Sequence, residues 1–187
     1  GQATYNHICA STQNYINRDF QIAPRTIILT DITYLYYGSE RELFYLCTFK
    51  DAYTCEILGY ATSKKMNVEL VKDAYDNMMF IHSDTFKKDS KVYIHSDQGS
   101  QYLSTDFKQL MSDNNFIQSC SRRGNSQDNA PMESFFARLK TAILNLLVLC
   151  PDYQTAEKLV FNYLISYNNE HYQYNLGGLT PTEFYQY

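Results

Sequence analysis

Between Arg25 and Ser63 the chain reads as three runs of β-branched and aromatic residues with almost nothing between them. TIILTDITYLYY follows Arg25, ELFYLCTFKDA follows a turn at Gly38-Ser39-Glu40, and TCEILGYATS follows directly. Residues of this kind favour strands because their side chains pack well on a pleated, half-buried surface. Joins this short leave no room for a crossover helix, so the three strands are expected to form an antiparallel meander. Half of a sheet is thereby fixed, and the rest of the chain must pack on it or beside it.

The remaining 124 residues alternate between helical and extended patterns. Val68, Leu70, Val71, Ala74, Tyr75, Met78 and Met79 recur with helical spacing over Asn67–Ile81. Lys91–Ile94 (KVYI) reads as a short strand that runs into His95-Ser96-Asp97. Ser104-Thr105-Asp106 can cap a helix through Phe107, Leu110 and Met111, ended by Asn114-Asn115. FIQSCS is a further short strand, and SRRGNSQDNAP is a polar loop. A long helix starts near Asn129 or Ala130, tolerates Pro131 in its first turn, and is broken by Pro151-Asp152. A last helix covers roughly 155–168, and the tail turns at Gly177-Gly178 before TPTEFYQY. Residues 1–24 read as an N-terminal arm ending at Pro24, and residues 25–187 as a single domain without repeat or linker. The order β-β-β-α-β-α-β-α-α predicts an α/β protein, with a mixed five-stranded sheet flanked by helices. That order resembles a ribonuclease-H-like fold.

Composition narrows the choice of function. With 44% hydrophobic residues, 7 Gly and 4 Pro in 187, the chain can bury a core and is not a disordered or collagen-like polypeptide. Its longest apolar candidate, Ala142–Cys150, contains Asn145 and is far too short to span a bilayer. The N-terminus lacks a basic start followed by an apolar stretch, so a cytoplasmic location is expected. Five widely spaced cysteines without a C-x-x-C imply reduced thiols, several of them buried, and the isolated His7-x-Cys9 is an unpromising metal site. The 18 tyrosines could stack nucleic-acid bases, but packing is expected for most. A net charge of −4 argues weakly against a nucleic-acid partner.

Three carboxylates stand out. Asp31 lies mid-strand among Ile28, Leu29, Ile32 and Leu35, where a charge is costly unless it is paired or binds a metal. An edge strand showing Asp31 to water explains it equally well. Asp97 follows a short apolar strand directly, where α/β sheets place their sites, and Gly99 permits close backbone approach. A turn or capping aspartate fits the same segment. Glu133 falls in the first turn of an apolar helix, which the helix dipole alone would favour. Lys140 is two turns further along the same face and is also compatible with an ordinary solvated lysine.

In combination these residues say more. Between Asp97 and Glu133 lie 35 residues. Asp31 in TDITYL, Asp97 in HSDQGSQY and Glu133 in RRGNSQDNAPMESFFARLK resemble the D, D-35-E signature of bacterial insertion-sequence transposases. The likeness is to the integrase catalytic core, in particular the insertion-sequence-three family and its retroviral-integrase relatives. YNNEHYQYNLGGLTPTEF resembles that family's closing segment, so the match runs from about Asp19 to Phe184.

The resemblance implies phosphoryl transfer on double-stranded DNA, with water as nucleophile for 3′-end cleavage and a DNA 3′-hydroxyl for strand transfer. It implies two Mg²⁺ or Mn²⁺ ions, which suit hard carboxylate oxygens. Asp31 would bridge both, with Asp97 on one and Glu133 on the other. Lys140 would touch the element's end. Arg122, Arg123 and Asn125, in the loop before the long helix, are candidates for phosphate contacts, or else a solvated basic loop. No covalent tyrosine–DNA intermediate is implied. Ile28 and Leu29 stand where relatives carry Trp, and His171 stands where they carry Arg. An N-terminal helix-turn-helix region is not apparent, so the chain is expected to be the catalytic core of a longer, nucleoid-associated, oligomeric transposase. A ribonuclease-H-like nuclease without strand transfer, and a silent DNA-binding remnant of a mobile element, are the competing readings. Only residues 118–150, with four basic and two acidic side chains, are net positive, and they hold Glu133 and Lys140. Such a core is expected to bind DNA weakly by itself.

Overall fold

The computed structural model describes residues 13–187. His7 and Cys9 lie outside the described residues. Strands β1 (Ile27–Tyr37), β2 (Glu42–Asp51) and β3 (Ile57–Ser63) form the expected antiparallel meander. Strands β4 (Val92–Ser96) and β5 (Phe116–Cys120) add on in parallel, giving a mixed sheet of order β3-β2-β1-β4-β5. β1 is therefore central. Its pairing with β4 stops at Leu29, opposite His95, and beyond that point the two strands splay apart.

Helices cover both faces of the sheet. Alternation along β1 sends Ile27, Leu29, Leu35 and Tyr37 to one side and Ile28 to the other. On the first side they meet α4 (Ala130–Val148) and α5 (Tyr153–Glu170), through residues such as Phe135, Leu139 and Leu164. On the second side lie α1 (Val68–His82), the short α2 (Ser100–Leu103) and α3 (Thr105–Asp113). Helix α1 starts where Asn67 accepts the Leu70 N–H, and α3 where Ser104 accepts that of Phe107. The last helix, α6 (Pro181–Gln186), is closed by a capping box between Thr180 and Glu183. Ile28 and Leu29 are fully buried on opposite faces of β1. Cys47, Cys55, Cys120 and Cys150 are buried free thiols, as the sequence implied.

Several boundaries differ from the sequence reading for local reasons. β3 starts at Ile57, not Thr54, because the Asp51 carboxylate captures the N–H groups of Tyr53 and Thr54 and holds them in a turn. β4 continues through His95 and Ser96, which pair with Ser119 and Cys120. Helix α5 begins at Tyr153, since Asp152 caps it by accepting the Thr155 N–H.

A buried ion network ties the ends together. Arg25 Nη1 donates to Asp51 (2.8 Å) and to Glu56 (3.0 Å), and its guanidinium lies 3.9 Å from the centre of the Tyr185 ring. Gly59 is needed where α1 crosses β3, since a Cβ there would fall 2.5 Å from the Ala74 carbonyl oxygen and from Met78 Cβ. Gly59→Ala is expected to cost about 1–3 kcal/mol through this overlap. A denaturant midpoint equal to that of the parent would refute the close approach.

Candidate active site

Asp31, Asp97 and Glu133 come from three separate elements and line one cleft of about 420 Å³. Asp31 sits on central β1, just past the point where β4 leaves it. Thr30 bonds the Tyr102 hydroxyl (3.0 Å) beneath α1, so alternation turns Asp31 to the face that α4 covers. Asp97 immediately follows β4, and its Oδ1 accepts the Gly99 N–H at 2.8 Å. A Cβ at residue 99 would lie 2.9 Å from that same oxygen, so glycine there allows the carboxylate to fold back on its own backbone. Glu133 is exposed in the first turn of α4.

The three charges interact. Burial, followed by the negative charge of Asp97, pushes the Asp31 carboxyl up to about 7. The Ile32 N–H opposes this and Glu133 adds to it. Like charges facing a half-buried carboxylate call for a cation, and the donors are hard carboxylate oxygens of the kind Mg²⁺ and Mn²⁺ take. Asn129, also lining the cleft, has a buried side-chain oxygen with no hydrogen-bond partner. The residues therefore fit a divalent cation chemically. Among the described residues no three acidic, histidine or cysteine side chains already stand close enough to enclose one.

Arg122, Arg123 and Asn125 line the same cleft on the loop between β5 and α4. Lys140 does not. Its Nζ rests 4.2 Å from the centre of the Tyr34 ring, further along α4. His171 packs edge-on against Tyr163 and Tyr167.

Asp128 organises the loop, and sequence reasoning passed over it. Its carboxylate, without solvent exposure, accepts from Arg122 N, Nε and Nη2, from Arg18 Nε and from Asn14 Nδ2, all within 3.1 Å. Arg122 above all holds its pKa well below the usual carboxylate range. The Asp128 carbonyl accepts from His95 Nε2 at 2.9 Å, which leaves Nδ1 to accept the Ser119 hydroxyl. Burial lowers the His95 pKa and keeps the ring neutral. Lys50 was also missed. It is buried on β2, and its Nζ donates to the Pro131 carbonyl (3.4 Å) in the turn that carries Glu133. The only sequence cue for Asp128 was an acid beside two arginines in a polar loop.

Two integrase core domain family models match, one over residues 22–126 and the other over 115–181. An insertion element IS600 protein of Shigella sonnei is 33% identical over 181 residues, covering 96% of this chain and 64% of that protein. Transposase InsF for insertion sequence IS3A of Escherichia coli is 29% identical over 175 residues, covering 92% of this chain and 58% of InsF. The chain thus spans about three-fifths of the length of these relatives. The HTLV-2 integrase catalytic core domain in complex with magnesium superposes with a TM-score of 0.69 at 16% identity, over 88% of this chain and 99% of that one. The chain belongs to the integrase core domain family, and its fold is ribonuclease-H-like.

Because Asp128 is ionised far below the usual range, its bonds stabilise the fold above about pH 4 and are lost as pH falls below that value. Asp128→Asn is therefore expected to lower the unfolding free energy at pH 6, with the gap to the parent narrowing steadily as pH falls from 4 towards 2. A gap that stays constant across this range, measured by denaturant titration, would show that the Asp128 charge is not involved.

Proposed function

We propose that this chain is the catalytic core of a transposase that cuts DNA at 3′ ends and joins them to a target by phosphoryl transfer. The observation that carries the reading is the convergence of Asp31, Asp97 and Glu133 on one cleft from positions far apart in the chain. These three carboxylates would hold two Mg²⁺ or Mn²⁺ ions, which supply activation of the attacking oxygen and stabilisation of the leaving one. A solved relative in fold was studied in complex with magnesium, which supports the choice of metal.

The protein's own part is positioning. The central strand holds Asp31 rigidly, and Gly99 keeps Asp97 folded back beside it. Asp128 and Lys50 fix the loop and first turn that carry Glu133. Arg122, Arg123 and Asn125, which line the cleft, would meet the phosphates of double-stranded DNA, and Lys140, further along α4, would meet the element's end. A homo-oligomer acting on paired ends at the bacterial nucleoid belongs to the same reading, supported by the trimeric form of the HTLV-2 core. Among the described residues no helix is long and apolar enough to cross a membrane.

Asp97→Asn keeps an oxygen for the Gly99 N–H and removes the charge. It is expected to leave the unfolding midpoint near that of the parent and to reduce Mn²⁺-dependent cleavage and joining to the metal-free background. Retained cleavage in a clean preparation would remove Asp97 from the site. Supplying a 3′-hydroxyl DNA end with a target plasmid separates the competing readings. Cleavage without joined product indicates a nuclease, and neither product nor Mn²⁺ binding in the presence of DNA indicates a silent remnant.

A further inference from the structure

The second half of β1 runs out from under α1 and leaves a groove of about 340 Å³, whose walls include Tyr34, Tyr36, Leu43 and Met66. Tyr34 is 56% exposed and Met66 51%. The Tyr34 and Tyr36 rings meet edge-on, with centres 5.9 Å apart. Each ring carries a cation. Lys140 Nζ lies 4.2 Å from the centre of Tyr34, and the Arg41 guanidinium 4.8 Å from that of Tyr36. Among the described residues neither cation has a carboxylate within ion-pair distance, whereas Arg18, Arg25 and Arg122 all do. Glu42 is engaged elsewhere, by Lys64 and the Tyr37 hydroxyl.

The groove leads away from the carboxylate cleft. Tyr34 is three residues beyond Asp31 on a strand, about 10 Å. Lys140 is seven residues beyond Glu133 on a helix, again about 10 Å. The Lys140–Tyr34 contact is therefore about 10 Å along each element from an acid, but alternation puts Tyr34 and Tyr36 on the face of β1 opposite Asp31, so a strand coming from the cleft passes the edge of β1 that β4 leaves unpaired beyond Leu29.

We propose that the Tyr34–Tyr36 groove holds an unpaired DNA strand leaving the cleft, with bases stacked on the two rings and phosphates on Lys140 and Arg41. This rests on the transposase reading and adds to it a segment of the substrate. Stacking on a tyrosine ring needs a base whose own face is not taken up by a neighbouring base pair, so the strand must be unpaired at this point, and the flanking cations complement its phosphates. An apolar protein partner would strand the same cations away from water, without a counter-charge.

The test uses the full chain and a fluorescein-labelled oligothymidylate of about 12 nucleotides, followed by anisotropy. Tyr34→Ala and Tyr36→Ala are each expected to weaken binding about 5- to 100-fold, while Tyr34→Phe, which keeps the ring, binds like the parent. A fully paired duplex of the same length is expected to lose no more than about twofold, since its bases present no free face to the rings. Unchanged oligothymidylate affinity in both alanine variants, with unfolding midpoints like the parent's, overturns the proposal. So does equal loss on the duplex, loss in Tyr34→Phe, or dissociation of an oligomer in sedimentation without loss of oligothymidylate binding. Mn²⁺-dependent plasmid nicking by the parent, measured alongside, keeps the two ideas apart. If the parent nicks and the variants bind normally, only the groove falls. If the parent does not nick but the variants lose binding, the groove stands and the catalytic reading falls.

Discussion

The Asp128 carboxylate is the point on which the site's geometry depends. A buried carboxylate is tolerable only when its oxygens are saturated by donors, and five N–H groups saturate this one. The donors come from the N-terminal arm and from the start of the loop after β5, and the adjacent carbonyl takes His95 on β4. The arm also adds on to β5, since Gln13 O accepts the Cys120 N–H and Tyr15 N donates to Ser119. Saturating one charge therefore pulls arm, loop and two strands onto a common anchor. Helix α4 starts two residues later, so its first turn has little freedom left, and Glu133 inherits that placement.

Asp31 is treated in the opposite way. It receives a single backbone N–H, from Ile32, and faces two further acids. One carboxylate, behind the cleft's loop, is thus held well below its ordinary range, and the other, in the cleft, is raised to about 7. A fold optimised only for stability would not leave Asp31 in this state, because burial and like charge both oppose its ionisation. Strongly displaced acids in a cleft are the mark of chemistry, and the satisfied acid next to the unsatisfied one supplies the rigidity that the unsatisfied one needs.

Much of this was legible in the residues. The meander, both parallel strands and the four longer helices followed from apolar spacing and from caps such as Asn67 and Ser104, because local packing and local hydrogen bonds determine them. Asp31, Asp97 and Glu133 were legible through motif spacing, and the structure brings all three to one cleft. Asp128 and Lys50 were not legible. Their roles depend on partners 110 and 81 residues away, Arg18 and Pro131, and no local pattern encodes such contacts. Helix α6 was left in the tail although T-P-T-E carries the signature of a capping box, so there the signal was present and was not read. Tyrosine packing held for Tyr37, Tyr75, Tyr102 and Tyr167, which are buried, but Tyr34 is exposed and cation-capped.

The acidic net charge takes on a different meaning once each cation is located. Arg25 is buried on Asp51 and Glu56, Arg18 and Arg122 are shared by Asp128, and Lys50 is enclosed against α4. Arg25, Arg18 and Lys50 are taken up in holding the fold together, while Arg122 serves Asp128 and still keeps half of its side chain exposed at the cleft. What remains near the cleft is a short set along the loop and α4, continued by Lys140 and Arg41 over their tyrosines. Affinity for DNA built on so few phosphate contacts must be modest and fall gently with salt, because the salt slope counts the phosphates neutralised. The aromatic groove beside them is then significant in a way that net charge does not register, since stacking adds affinity that salt does not screen. On the proposed reading, a core arranged like this would place DNA by shape and by ring contact, and would need little positive charge beyond what its carboxylates recover by binding cations.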